Sequence, residues 1–303
     1  MKFLDYVFAA RPMLLVPVWS IYLVALQYHQ ELTGRQFSLG NIAVLAGLSF
    51  LAAGAYYINQ IYDKDTDQAN QKLLFLRDRL VNEKTLMKLF MVLSIIPVAI
   101  AALYTKALFF IFLQLCGLGF IYSAPPMRLK DRAVAGLLAN AYAFGFLISV
   151  SIMPEMTQHN IGLLGWDNPF YFFLAVMGVH ILTTLPDAPG DRSSGKKTIG
   201  VIFPRKIALL LSLFAFAGAS QVALNSGFTI LTVIAGIAAV LVICNFLNSN
   251  DRLIFLAAKL PILLLTLLAG YFYPLYLLFV VALILATRTY YRRRFNITYP
   301  KLV

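Results

Sequence analysis

Apolar runs of about 20 residues recur from one end of this chain to the other, each long enough to cross a bilayer core of roughly 30 Å as a helix. Buried helices of soluble proteins are shorter and do not come in such a series. Composition agrees: 60% of the 303 residues are hydrophobic and 13% charged, too little charge to cover a soluble surface. The mean hydropathy is +0.78. The pattern predicts an all-α, polytopic helical bundle in the cell membrane.

The candidate spans are 12–29, 40–60, 84–105, 106–124, 132–153, 169–187, 205–223 and 228–247. A further apolar stretch, 253–288, is interrupted at Tyr273-Pro274, so it forms one long helical region or two spans, for a total of nine or ten. No low-complexity segment, long linker or repeat divides the chain, and 1–303 reads as one domain. Asp5 and Arg11 ahead of the first run do not fit a cleaved signal peptide. Cys116 and Cys244, deep in separate apolar runs, fit neither a disulfide framework nor a metal spacing.

The formal charge of +12 reports orientation rather than nucleic-acid binding, because the basic residues alternate by loop. Lys64, Lys72, Arg77, Arg79 and Lys84 follow the second span; Arg128, Lys130 and Arg132 follow the fourth; Arg192, Lys196, Lys197, Arg205 and Lys206 follow the sixth. The intervening loops hold little more than Arg35 and Lys106. The positive-inside rule puts the basic set and the N-terminus in the cytoplasm. The tail arginines, Arg288 and Arg292 to Arg294, prefer the same side, which favours an even number of spans.

Only 13 acidic residues exist, and Asp63, Asp65, Asp67, Asp187 and Asp191 fall in two short segments at the cytoplasmic ends of spans two and six. On a helix, residues four apart share a face, so Asn59, Asp63 and Asp67 form one oxygen-rich stripe, with Asp65 turned away. In Asp187-Ala-Pro-Gly-Asp191 the proline and glycine make a continuous helix unsafe to assume; the two carboxylates are simply close in space. One such pair in a loop ordinarily balances neighbouring lysines. Two pairs at helix ends on one membrane side, with an asparagine a turn before the first, point instead to a cation site. Carboxylates near membrane depth persist mainly when paired, hydrated or cation-bound. Hard oxygen ligands without His or Cys suit Mg²⁺, and Lys and Arg in the same loops suit a phosphate.

These residues resemble a known family. Asn59 to Asp67 is similar to the NDxxDxxxD motif of the UbiA superfamily of intramembrane prenyltransferases, and Asp187 to Asp191 resembles that family's DxxxD motif. Tyr122-Ser123-Ala-Pro-Pro-Met-Arg128-Leu-Lys130 resembles its YSxPPxRxK element, Gly190 to Thr198 its GDxxxGKxT continuation, and Arg11-Pro12 the RP that enters its first helix. The departures are Gln60 in place of the first Asp, the absent downstream Arg-Pro (for which Lys72 or Arg77 is a substitute), and Pro189 within the second motif.

The resemblance implies a bundle of about nine helices in an isoprenoid-synthase-like arrangement, around a central cavity under a cytoplasmic cap. It implies transfer of a prenyl group from an isoprenyl diphosphate to a lipophilic acceptor within the membrane lipid. That acceptor is an aromatic quinone precursor such as a naphthoate, or a prenylglycerol phosphate. Two Mg²⁺, one held by Asn59, Asp63 and Asp67 and one by Asp187 and Asp191, would bridge the diphosphate. Arg11, Lys72, Arg77, Lys130, Arg192, Lys196 and Lys197 would hold its oxygens. Tyr122 is the aromatic residue expected to shield the allylic cation, with Tyr56, Tyr57, Tyr62 and Phe144 as further candidates. His180 and Asn140 either face the cavity or make interhelical hydrogen bonds, the more ordinary use of such residues. The rival class is a transporter moving protons or ions through intramembrane carboxylates. It wants its charges near the midplane, whereas these lie at one surface.

Overall fold

In the computed structural model, residues 2–69, 75–76, 79–152 and 166–300 are described, 64–69 as helical backbone. Lipid offers the backbone no hydrogen-bond partners, and the apolar runs accordingly form helices. After the short α1 (Lys2–Ala9), Arg11 in the left-handed region (φ 52°) and a 3-10 turn at Pro12–Leu14 redirect the chain into α2 (Leu15–Thr33). Gly34 (φ 70°) ends α2. There follow α3 (Leu39–Ala69), α4 (Glu83–Tyr104), α5 (Lys106–Ser123) and α6 (Ala133–Asn140). A π-helical segment, Ala141–Leu147, extends α6 into α7 (Ile148–Val150). The remainder are α8 (Asp167–Ser193), α9 (Ile199–Ile202), α10 (Arg205–Asn225), α11 (Thr229–Asn248), α12 (Asp251–Phe272) and α13 (Pro274–Phe295).

Capping side chains set several boundaries. Asn82 accepts from Lys84 N at 2.8 Å, Thr105 from Leu108 N at 3.1 Å, and Asn250 from Arg252 N at 2.9 Å, each satisfying a helix-terminal amide. Among the described residues 10 helical segments are long and apolar enough to cross a membrane. The interruption at Tyr273-Pro274 is thus a turn between two spans, with Pro274 at the first position of α13 where its missing N–H costs nothing. The expectation of about nine helices becomes ten. An even number agrees with the chain ends: Asp5 of α1 accepts hydrogen bonds from Tyr290 (2.6 Å) and Arg294 (3.1 Å) of α13.

The core is built around α2, whose Tyr22, Val24 and Ala25 are wholly buried and pack with residues of α3, α5, α8, α11 and α12. The two longest helices, α3 with 31 residues and α8 with 27, carry the acidic segments. At 1.5 Å per residue they span about 46 and 40 Å, so each outreaches a hydrocarbon core of roughly 30 Å. Their polar ends therefore project at one face of the bundle.

Candidate active site

That face is closed by two basic loops. The first follows α5 and contains a 3-10 turn, Leu129–Asp131; the second joins α8 to α9. Lys197 N donates to Asp131 O at 2.8 Å, and Arg132 and Lys197 form a parallel bridge. This backbone clip brings residues some 65 positions apart, Lys130 and Lys196, onto one carboxylate. Asp63, buried, has Lys130 Nζ at 2.6 Å, with Lys196 Nζ and Arg128 Nη2 each at 4.0 Å. Arg128 is held more closely by Asp131, at 2.6 Å. Lys196 also reaches Asp191 at 3.6 Å, so one ammonium stands between the two acidic segments. Burial pushes the Lys130 ammonium's pKa down, and the neighbouring Asp63 opposes that shift.

Asn59 donates to Asp63 at 2.9 Å and to Ser123 at 3.3 Å, which ties α3 to the end of α5. Asp191 is buried and accepts from Thr198 at 3.1 Å. Contrary to the caution drawn from Pro189 and Gly190, α8 continues through Pro186 and Pro189 to Ser193. Asp187 and Asp191 therefore lie one turn apart on a single helix. Asp187 lines the cavity below. Gln60 turns the other way, its side chain hydrogen-bonded to Ala9 O. The departure at that position thus falls outside the oxygen-bearing face.

The remaining expected residues separate. Arg11 lines the cavity mouth. Arg192 is exposed, with Nη2 3.5 Å from Val201 O, and Lys197 is exposed, its backbone amide donating to Asp131 O. Lys72 and Arg77 lie outside the described residues, as does the side chain of Asp67. Of the aromatic candidates, Tyr56, Tyr122 and Phe144 line the cavity. Tyr57 instead donates to Tyr6 O at 2.8 Å, and Tyr62 packs with the α1 cluster. His180 and Asn140 both line the cavity. Sequence reasoning passed over Ser123 and Thr198, although both sat inside the quoted motif elements.

The cavity measures about 640 Å³, within the usual range for small-molecule sites. Arg11, Asn59, Ser123 and Asp187 gather at its polar end. Elsewhere the walls are mostly aliphatic, from Val18, Leu48 and Leu51 to Ile234, Pro261 and Leu265. Among the described residues, no three His, Cys, Asp or Glu side chains converge as a preformed metal cage. Mg²⁺ needs none, since it takes one or two carboxylates and completes its shell with water and phosphate. Asp63 Oδ1 already pairs with the Lys130 ammonium at 2.6 Å, while Asn59 and Asp187 line the cavity beside it. The donor set, all oxygen, fits the ion.

The profile of the UbiA prenyltransferase family matches residues 14–253. The chain belongs to that family. Ten apolar helices and this membership make it an integral membrane protein. Among curated relatives, it is 31% identical over 187 residues to probable homogentisate phytyltransferase 2, chloroplastic, of Oryza sativa subsp. japonica, covering 56% of this chain and 46% of the relative. It is 27% identical over 188 residues to 2-acyl-4-prenylphloroglucinol 6-prenyltransferase, chloroplastic, of Humulus lupulus, covering 59% and 43%. The chain thus spans about half the length of these relatives. A UbiA homolog from Archaeoglobus fulgidus bound to GPP and Mg²⁺ superposes with a TM-score of 0.69 at 19% identity, over 88% of this chain and 98% of the other. A digeranylgeranylglyceryl phosphate synthase gives 0.67 at 16%, over 88% and 96%. At such identities the likeness establishes the UbiA fold.

Proposed function

We propose that this UbiA family member transfers a prenyl group from an isoprenyl diphosphate to a lipophilic aromatic acceptor, with Mg²⁺ as cofactor. The observation that carries the reading is the joining of one apolar cavity to one acid-and-lysine cluster at its mouth. An isoprenoid diphosphate has the same two parts. Its tail fits aliphatic walls, and its diphosphate fits lysines and arginines set among carboxylates. In this reading the chain acts as one unit of the cell membrane, with the motif loops cytoplasmic.

Asn59, Asp63 and Asp67 would hold one Mg²⁺, and Asp187 and Asp191 a second. When bound, such ions neutralise the charge that builds on a leaving diphosphate. Lys130, Lys196 and Arg11 bind its oxygens, with Arg192 and Lys197 at the rim, and hold them while the donor's C–O bond breaks. The allylic cation left behind needs shielding from water. The faces of Tyr122, Tyr56 and Phe144 supply it, and the aliphatic wall keeps water out. An electron-rich acceptor carbon then closes the new bond and the ring loses a proton. The homogentisate and phloroglucinol named for the plant relatives support an aromatic, hydroxylated acceptor, the class to which quinone precursors belong.

The test supplies purified protein in detergent with geranylgeranyl diphosphate, Mg²⁺ and one acceptor at a time: homogentisate, a dihydroxynaphthoate, a hydroxybenzoate or a prenylglycerol phosphate. Mass spectrometry reads the products. A prenylated product that vanishes with chelator and in Asp63→Asn and Asp187→Asn supports the reading. No product and no Mg²⁺-dependent diphosphate binding would overturn it in favour of transport.

A further inference from the structure

We propose that His180, together with the Tyr122–Asn140 pair, forms a subsite that receives the hydroxyl group of a phenolic acceptor. This deepens the prenyl-transfer reading and rests on it. The first observation is placement. Val176, His180, Thr183 and Asp187 follow one another at helical spacing on α8, and all four line the cavity. Seven residues at 1.5 Å set His180 about 10 Å below Asp187 along the helix axis. That depth leaves room for the diphosphate-bearing carbon of a donor and one aromatic ring beneath the acidic mouth.

The second observation is an unmet polar group. Among the described residues, the hydrogen bond at His180 is made by its backbone carbonyl, which accepts from Thr183 at 2.8 Å; its imidazole makes none. The His180 imidazole is half-buried and faces a cavity with mostly aliphatic walls, so a ligand that fills the cavity displaces its water and must replace that hydrogen bond. A structural histidine bridging two helices would have its partner already. Neutral imidazole offers one donor and one acceptor nitrogen, and a phenol hydroxyl complements the acceptor.

The third observation lies on α5 and α6. The Asn140 side chain lies beside the Tyr122 hydroxyl, and both residues line the same cavity. Asn140 is the last residue before the π-helical turn Ala141–Leu147, and such turns recur at functional sites. From that turn Ala143 and Phe144 also reach the cavity. An apolar space with a few placed polar groups is what orienting one hydroxylated ring requires. The hydrogen bond to His180 increases electron density on the ring carbons ortho and para to the hydroxyl, and it fixes which of them faces the donor. The hydroxyl proton stays on oxygen.

The experiment compares the best phenolic acceptor with its methyl ether, in the purified full chain and in His180→Phe and His180→Gln. Acceptor and donor KM are measured for each, and homogentisate binding is followed in parallel by calorimetry. Wild type is expected to prefer the phenol by about tenfold in kcat/KM. In His180→Phe that preference collapses through a higher acceptor KM for the phenol, with donor KM unchanged. His180→Gln, which keeps an acceptor oxygen, recovers most of the loss. Equal losses on phenol and ether, a raised donor KM, or an intact preference would overturn the proposal, as would product from prenylglycerol phosphate alone. If no acceptor is turned over and no Mg²⁺-dependent diphosphate binding is seen, but homogentisate binds in a His180-dependent way, the subsite stands and the prenyl-transfer reading falls.

Discussion

Lys196 and Lys197 are adjacent and chemically identical, and in sequence only the GKxT spacing sets the first apart. The fold does. The amide of Lys197 is clipped to Asp131 while its ammonium faces outward; the Lys196 ammonium turns inward between Asp63 and Asp191. Lys130 goes further, with a side chain 7% exposed against Asp63. A hydrogen bond to a charged group contributes about 1.5–3 kcal/mol, whereas an exposed charge contributes little. Lys130→Met is therefore expected to weaken binding of a prenyl diphosphate with Mg²⁺ at least tenfold, and Lys197→Met less than twofold. Calorimetry on both variants checks this, and equal losses would remove the distinction. Gln60 carries the complementary lesson. Motif comparison marks it as a missing carboxylate, yet its side chain fastens α3 to Ala9, a contact that spacing cannot reveal.

At the scale of elements, hydrophobic run length located nearly every span, because lipid leaves a long apolar run few alternatives to a helix. Two features of the spans escaped it. Pro189 and Gly190 made the end of α8 look breakable, but the helix continues through them to Ser193. The π-helical turn after α6 has no signature in hydropathy, since one extra residue in a turn leaves the apolar pattern nearly intact. It is held by a close approach at Gly145. A Cβ there would lie 2.5 Å from Phe172 O and 2.7 Å from Phe173 Cα, both backbone atoms that no rotamer change can move. Gly145→Ala should lower the thermal unfolding midpoint in detergent, at a cost of about 1–3 kcal/mol from overpacking. Gly117→Ala, in a helix with nothing within 4 Å of the added methyl, should be neutral or slightly stabilising. If the two behave alike, α8 accommodates the methyl and the turn does not depend on the glycine.

For the molecule as a whole, charge alternation predicted that both chain ends share one side, and the contact between α1 and α13 requires it. What the sequence could not disclose is how the ends are joined. Asp5 is wholly buried, and its carboxylate accepts from the Tyr290 hydroxyl and twice from the Arg294 guanidinium. A buried carboxylate is tolerable only while these donors remain. Arg294→Met leaves it with Tyr290 alone and should cost about 1.5–3 kcal/mol, read as a lower unfolding midpoint. Asp5→Asn combined with Arg294→Met removes both charges and should cost less than the sum of the single changes. The clamp also bears on the cavity, because α1 ends two residues before Arg11 at its mouth. Loosening α1 releases the backbone that aims that guanidinium. Arg294→Met is therefore expected to raise donor KM while leaving acceptor KM unchanged, although Arg294 is no part of the cavity wall. An unchanged midpoint would mean that α1 is held by its apolar packing on α3 and α13 alone. An unchanged donor KM with a lowered midpoint would separate the clamp from Arg11.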